Sequence, residues 1–383
     1  MYSENDKKFA AEFLEKVTKK LTAIAPKIGA DFPYTDRDGN YVTTGSPIAW
    51  TAGYWPGMMW LMYIKTGDEM FRKIAEECEE KMDIGLGEKY YTLHHDVGFM
   101  WSLSAVASYK LTGNRQSQIR ATHAAAILAS RFNPCAKFIR AWEGPPASRA
   151  IIDCIMNIPI LEWASKFGTE PGPRFAHVAR AHADTVLRAF LRADGSVNHF
   201  VHFDTVTGEV LETPGGQGYE SGSSWSRGQS WAVYGLVAAY INSGKQEYLD
   251  AAKNVAHYFM ANVEPGKLPL LDFRAPAEPV YYDSSAAAIT ACGLIEIAKC
   301  VPEFESPIYE RAAISLLRTC VEHCNWDEDT MWILADGSGA YSGNIHKPFI
   351  FGDYYLVEAL MKLYGNDGKF ITHDEEVPEE NQL

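Results

Sequence analysis

Helical segments of two kinds alternate along these 383 residues, and that alternation limits the fold more than any motif does. One kind is apolar almost all round, as in GYWPGMMWLMYIK. The other is amphipathic, as in the charged segment over about 68–83. The apolar segments are expected over 56–65, 96–111, 149–166, 225–242, 284–300 and 352–364. The amphipathic ones are expected over 4–24, 68–83, 115–131, 173–191, 246–262 and 306–323. Each apolar segment but the last runs through a short turn into a polar one. The turn positions Gly67, Gly113, Gly168, Gly244, Val301 and Gly365 recur every 46 to 76 residues. Loose repeats of this length denote an array of helical hairpins. A helix apolar on every side has to be enclosed, so six hairpins closing into a ring satisfy the pattern better than an open solenoid. The expected fold is therefore all-α, an (α/α)6 barrel formed by residues 1–383 as a single domain. The longest gap holds DGSVNHFVHFDTVTGEVLET, whose alternation and Thr-Gly turn predict a β-hairpin inserted at the mouth. The acidic end, from about 371 to 383, is expected to be mobile.

In such a ring, the residues that open the inner helices face one mouth. Trp50, Tyr54 and Trp55 precede the first apolar helix, and His94, His95 and Asp96 the second. Trp142, Glu143 and Arg149 lead into the third, which carries Asp153. Gln217, Tyr219, Trp225, Arg227 and Trp231 surround the start of the fourth. Tyr281, Tyr282 and Asp283 open the fifth, and Tyr341, His346, Lys347 and Asp353 the last. Aromatic and ionisable groups converge, which is the composition of a sugar site. Asp153 is expected inside a helix that starts after a Ser148 cap, on one face with Asn157 and among isoleucines. Burial there raises a carboxyl pKa, as a general acid requires. Arg227 has the planar fork for a substrate carboxylate, and Trp231, one helical turn on, is placed to stack on a sugar ring. Other roles are simpler: Asp96 as a helix cap, Asp283 as a cap without catalysis, Arg227 as a stacked structural arginine, and His199 and His202 as surface residues.

The formal net charge of −14 argues against nucleic acid and anionic membrane surfaces as partners. No segment reaches the length of a membrane span. The start MYSENDKKFAAEF lacks the apolar stretch of a signal peptide, and the seven scattered cysteines fit reduced thiols, so a cytoplasmic location is expected. Cys320, His323 and Cys324 do not share the face that a zinc site needs. Oligomeric state stays open.

Several stretches together are similar to glycoside hydrolase family 88, the unsaturated glucuronyl hydrolases. They are AWTAGYWPG (49–57), HHDVGF (94–99), IIDCIMN (151–157), the Asn198-His199 pair and GQGYESGSSWSRGQSW (216–231). They occur in the family's order and span about residues 49–355. The resemblance implies an (α/α)6 barrel and, as substrates, small oligosaccharides bearing a Δ4,5-unsaturated uronic acid at the non-reducing end. It implies Asp153 as general acid/base and Asp96 as a second essential carboxylate. It also implies that Trp50, His95, His199, Gln217, Arg227 and Trp231 bind the uronate, with Trp225 in the same element. No metal or cofactor is implied. Alternatives at this point are an unsaturated rhamnogalacturonyl hydrolase, an inverting glycosidase using Asp96 and Asp153, a sugar epimerase, and a helical scaffold without activity.

Overall fold

The computed structural model describes residues 2–142, 144 and 147–375; Glu143 and residues 376–383 lie outside the described residues. Twelve barrel helices are present among them, in the alternation expected. Six form an inner ring: α2 (Tyr54–Thr66), α4 (97–112), α6 (Pro159–Phe167), α8 (Ser226–Ser243), α10 (Ser284–Cys300) and α12 (Ile350–Tyr364). Five polar helices return along the outside: α3 (Glu69–Lys81), α5 (Arg115–Ser130), α7 (Pro173–Ala189), α9 (Gln246–Ala261) and α11 (Ser306–Glu322). The sixth outer helix is α1 (Glu4–Ile28), which packs against α12, while α12 also meets α2 and so closes the ring.

The chemistry of each segment explains its layer. Every residue of α12 but Tyr364 is buried, Asp353 and Glu358 included, whereas α3 buries only one stripe: Phe71, Ile74, Ala75, Cys78 and Glu79. The inner-to-outer turns at Gly67, Gly113 and Gly244, and the end of α12 at Gly365, take the left-handed backbone that ends a helix cheaply only at glycine. Deep in the ring, Lys362 is fully enclosed by Glu296, Glu358 and Asp367.

Some boundaries differ from expectation. Helix α1 continues through Pro26 to Ile28. Helix α4 is interrupted by a wide π turn over Ser102–Val106. The stretch 31–52, which lies outside every expected helical segment, contains a hairpin of β1 (Pro33–Arg37) and β2 (Asn40–Thr43) around Asp38 and Gly39, both at positive φ. The hairpin expected near 200 exists as β4 (Phe200–Phe203) with β5 (Val210–Glu212), and a third strand, β3 (Arg149–Ile151), joins it. The acidic end is anchored further along than expected. Ile371, Thr372 and His373 are buried, and Asn242 bonds to both the Ile371 carbonyl and the His373 amide.

Candidate active site

The largest correction falls on the segment around Asp153. No helix starts at Ser148. Arg149–Ile151 pairs with Phe200–His202, Ile152–Met156 forms a 3₁₀ turn, and α6 begins only at Pro159. Proline is favoured in the first helical turn, and Pro159 stands there, well past the start that periodicity placed. Asp153 thus stands on a tight turn between strand and helix. Asn157 anchors that turn: its side-chain amide donates to the Asp153 carbonyl at 3.0 Å, and its oxygen accepts from the Phe99 amide at 2.7 Å. A Cβ added at Gly98 would lie 2.3 Å from Asn157 Cα, so only glycine lets the Asp96 segment and the Asp153 segment touch.

Both carboxylates open onto one cavity of about 350 Å³ at the mouth of the barrel. The Asp153 side chain is 14% exposed. Burial and the negative charge of Asp96 push its carboxyl up to about 8, against Arg227 and the Trp231 indole, which pull it down. His199 Nε2 lies 3.8 Å from Asp153 Oδ1. The backbone N–H of Gln217 donates to His199 Nδ1 at 2.9 Å, so the ring proton sits on Nε2, facing Asp153. The contact of Nδ1 with the Gly215 carbonyl, 3.2 Å, is longer and would need the opposite tautomer. Burial holds the His199 imidazole neutral, its pKa depressed to about 3.

Asp96 occupies the cap position of α4 but makes no capping bond. Its carboxylate turns to His94 Nδ1 at 3.1 Å and His95 Nε2 at 3.2 Å. Burial opposes its charge, yet the two histidines and the Asn157 amide outweigh burial and hold the carboxyl below its usual value. Two neighbouring carboxyl groups are therefore driven apart, one towards the acid and one towards the anion, which is the pattern of an acid/base site.

The remaining predicted residues divide into wall and support. Trp50, His95, Gln217 and Arg227 line the cavity. Trp225 and Trp231 do not. Trp231 is fully buried, packed on Phe99 and Tyr355 behind Asp153, so it has no face for a sugar. Trp225 is 3% exposed, sandwiched between the His199 ring at 4.2 Å and the Arg227 guanidinium at 4.6 Å. Nor are His199 and His202 surface residues: both are buried, and His202 pairs with Glu212 and Arg149 away from the cavity.

Arg227 is less free than a carboxylate clamp requires. Its Nη1 bonds to Asp283 and to the Ser338 carbonyl, and Nη2 to the Gly339 carbonyl at 2.7 Å. That leaves Nε and one Nη2 proton for a ligand, with the positive charge already paired to Asp283. Asp283 caps α10 through the Ser285 amide as expected and also fixes this arginine. Asp353 faces inward, where it accepts the Ile333 and Leu334 amides and the Tyr41 hydroxyl, so its role is structural.

The cavity also has walls that sequence reasoning left out: Tyr34, Phe351 and Asn344. Phe351 packs against Trp50 with ring centres 5.2 Å apart and the rings tilted by 37°, and it opens α12, where the aromatic run FIF was the available signal. Tyr34 arrives on the unexpected β1–β2 hairpin.

The chain is 36% identical over 351 residues to an unsaturated glucuronyl hydrolase of Bacillus sp. (strain GL1), covering 88% of this chain and 92% of that protein. The chain belongs to the unsaturated glucuronyl hydrolases. The family likeness extends to an unsaturated chondroitin disaccharide hydrolase of Streptococcus pneumoniae, 30% identical over 94% of this chain and 92% of that one. The crystal structure of the Bacillus glucuronyl hydrolase, described as responsible for glycosaminoglycan degradation, superimposes with a TM-score of 0.87. It covers 92% of this chain and 96% of its own, at 34% identity. No family model matches the chain. The barrel and its hydrolase activity are those of this family.

Proposed function

We propose that this enzyme removes the Δ4,5-unsaturated uronic acid from the non-reducing end of lyase-generated glycosaminoglycan oligosaccharides and related ones. The reaction is hydration of the C4=C5 enol ether, with Asp153 as general acid/base and Asp96 as the second carboxylate. The observation that carries this reading is the Asp153 carboxyl, still protonated at neutral pH, opening into a cavity beside an ionised Asp96. Similar enzymes of known structure hold dGlcA-Glc-Rha-Glc and dGlcA-GalNAc6S.

The chemistry uses the groups present. Asp153 gives its proton to C4, and positive charge develops at C5 and the ring oxygen. The Asp96 carboxylate stabilises that charge at short range. Water adds at C5 and returns a proton to Asp153, whose transient carboxylate faces the His199 Nε2–H. The resulting hemiketal opens, releasing the neighbouring sugar and an α-keto acid. The glycosidic bond is not attacked directly, in contrast to the two-carboxylate displacement schemes. Arg227 and Gln217 receive the uronate, and Trp50, Trp142 and Phe351 enclose its ring. No step requires a metal or organic cofactor. A reducing, cytoplasmic setting is supported by seven unpaired cysteines, and no described helix is long and apolar enough to cross a membrane.

Ultraviolet absorbance of an unsaturated chondroitin disaccharide tests the reaction, because the conjugated double bond absorbs and its hydration product does not. Loss of absorbance with release of the amino sugar is expected. Unchanged absorbance across chondroitin, hyaluronan, heparin and pectin lyase products would overturn the mechanism.

A further inference from the structure

His94, His95 and Asp96 each bring one donor atom into a cluster, all three within 4.8 Å of one another. The tautomer of His95 is fixed by its surroundings. Its Nδ1 lies 2.8 Å from the Ala141 carbonyl, which can only accept, so Nδ1 carries the proton. Nε2 therefore presents a bare lone pair, 3.2 Å from Asp96 Oδ1. That contact requires a positive centre between the two atoms, a proton on an imidazolium or a metal ion on a neutral ring. On the other side, His94 Nδ1 is 3.1 Å from Asp96 Oδ2 and makes no well-formed hydrogen bond to it.

Two further features point to a metal ion. An ion about 2.0–2.1 Å from each donor needs neighbouring donors about 3.3 Å apart, and each histidine nitrogen lies near that distance from one of the two Asp96 oxygens, 3.1 Å for His94 and 3.2 Å for His95. A histidine that donates its second ring N–H to a backbone carbonyl has the outer arrangement usual for a metal ligand, fixing both tautomer and ring orientation. His94, about a quarter exposed, borders the cavity, so an ion can reach the three residues from it.

We propose that His94, His95 and Asp96 bind one divalent transition-metal ion of the zinc class, and that its binding inhibits the enzyme. Two imidazoles and one carboxylate favour zinc, cobalt or nickel over magnesium or calcium, which prefer all-oxygen sites. Inhibition follows from charge. The ion engages the Asp96 carboxylate at the cavity wall and places positive charge where the cationic transition state forms. The binding site stands on its own geometry, while the inhibition rests on the reaction proposed above.

The metal-stripped full chain, without substrate, is titrated with zinc chloride by calorimetry and with cobalt chloride by visible absorbance. One ion per chain, the intense bands of four-coordinate cobalt and no response to magnesium are expected. His94→Ala and His95→Gln should each weaken zinc binding by about tenfold or more, with circular dichroism confirming that each variant is folded. Absence of saturable binding would overturn the site, as would binding that neither substitution weakens. Zinc should then suppress turnover of the unsaturated disaccharide, and EDTA should restore it; binding without suppression removes the inhibitory role. Zinc binding by a chain that hydrates no unsaturated sugar would sink the proposed function and leave the site. Turnover without zinc binding would do the reverse.

Discussion

Replacing Asp153 by Asn makes the electrostatic reasoning measurable in stability, apart from catalysis. The Asp153 carboxyl rises from its ordinary 3.8 to about 8 in the folded chain. Between those values the folded chain holds a proton that the unfolded chain has released. Its contribution to stability is therefore complete below about pH 4, declines as pH rises, and is lost above about pH 8. At about 1.36 kcal/mol per pH unit, the ceiling on the loss is about 4 kcal/mol at pH 7 and about 6 kcal/mol at pH 9. Asparagine keeps the shape, has no charge at any pH and escapes that loss. Urea unfolding of parent and Asp153→Asn at pH 5, 7 and 9 should show the variant gaining stability steadily with pH, while its turnover is abolished. A stability difference that stays flat or shrinks over that range would refute the raised pKa. Near-normal turnover would refute Asp153 as the acid.

Other substitutions probe the same site from its supports. Asp96→Asn removes the negative charge that helps raise the Asp153 pKa, so the alkaline fall of residual activity should move below about pH 8; a pH–rate profile that does not move would count against the coupling. Arg227→Met leaves Asp283 buried without its counter-charge, which costs about 3–5 kcal/mol. Its thermal midpoint should fall and its KM for the unsaturated disaccharide rise, and an unchanged melting curve would contradict the pairing. Gly98→Ala puts a Cβ 2.3 Å from Asn157 Cα, so the backbones must part. Calorimetry should show a loss at or above the upper end of the ~1–3 kcal/mol typical of overpacking, with kcat falling because Asp96 and Asp153 separate.

What was legible in the sequence had a local cause. The ring could be read because an enclosed helix must be apolar all round and its return helix must not be, a contrast visible within a dozen residues. The glycine turns and the Asp283 cap are equally local. The residues that converge on the mouth could be listed because a ring places the start of every inner helix at one end. Trp50, His95, Gln217 and Arg227 do line the cavity, whereas Trp225 and Trp231 support it from behind. Nothing in a sequence separates those two cases, since a wall tryptophan and a buttress tryptophan can share a helical face.

The setting of Asp153 was misread for a different reason, and that reason bears on function. Ile151, Ile155, Ile158 and Leu161 repeat as a helix would, but Arg149–Ile151 is claimed by a strand some fifty residues away. Pairing with Phe200–His202 ends the extended run at Ile151 and forces the tight turn that carries Asp153. The same strand, β4, follows directly on His199, so one strand pairing brings His199 Nε2 within 3.8 Å of the Asp153 carboxyl. A helix begun at Ser148 would leave Asp153 without that link and without the Asn157 tie to the Asp96 segment. The inserted hairpin is therefore part of the acid/base site rather than a decoration of the mouth.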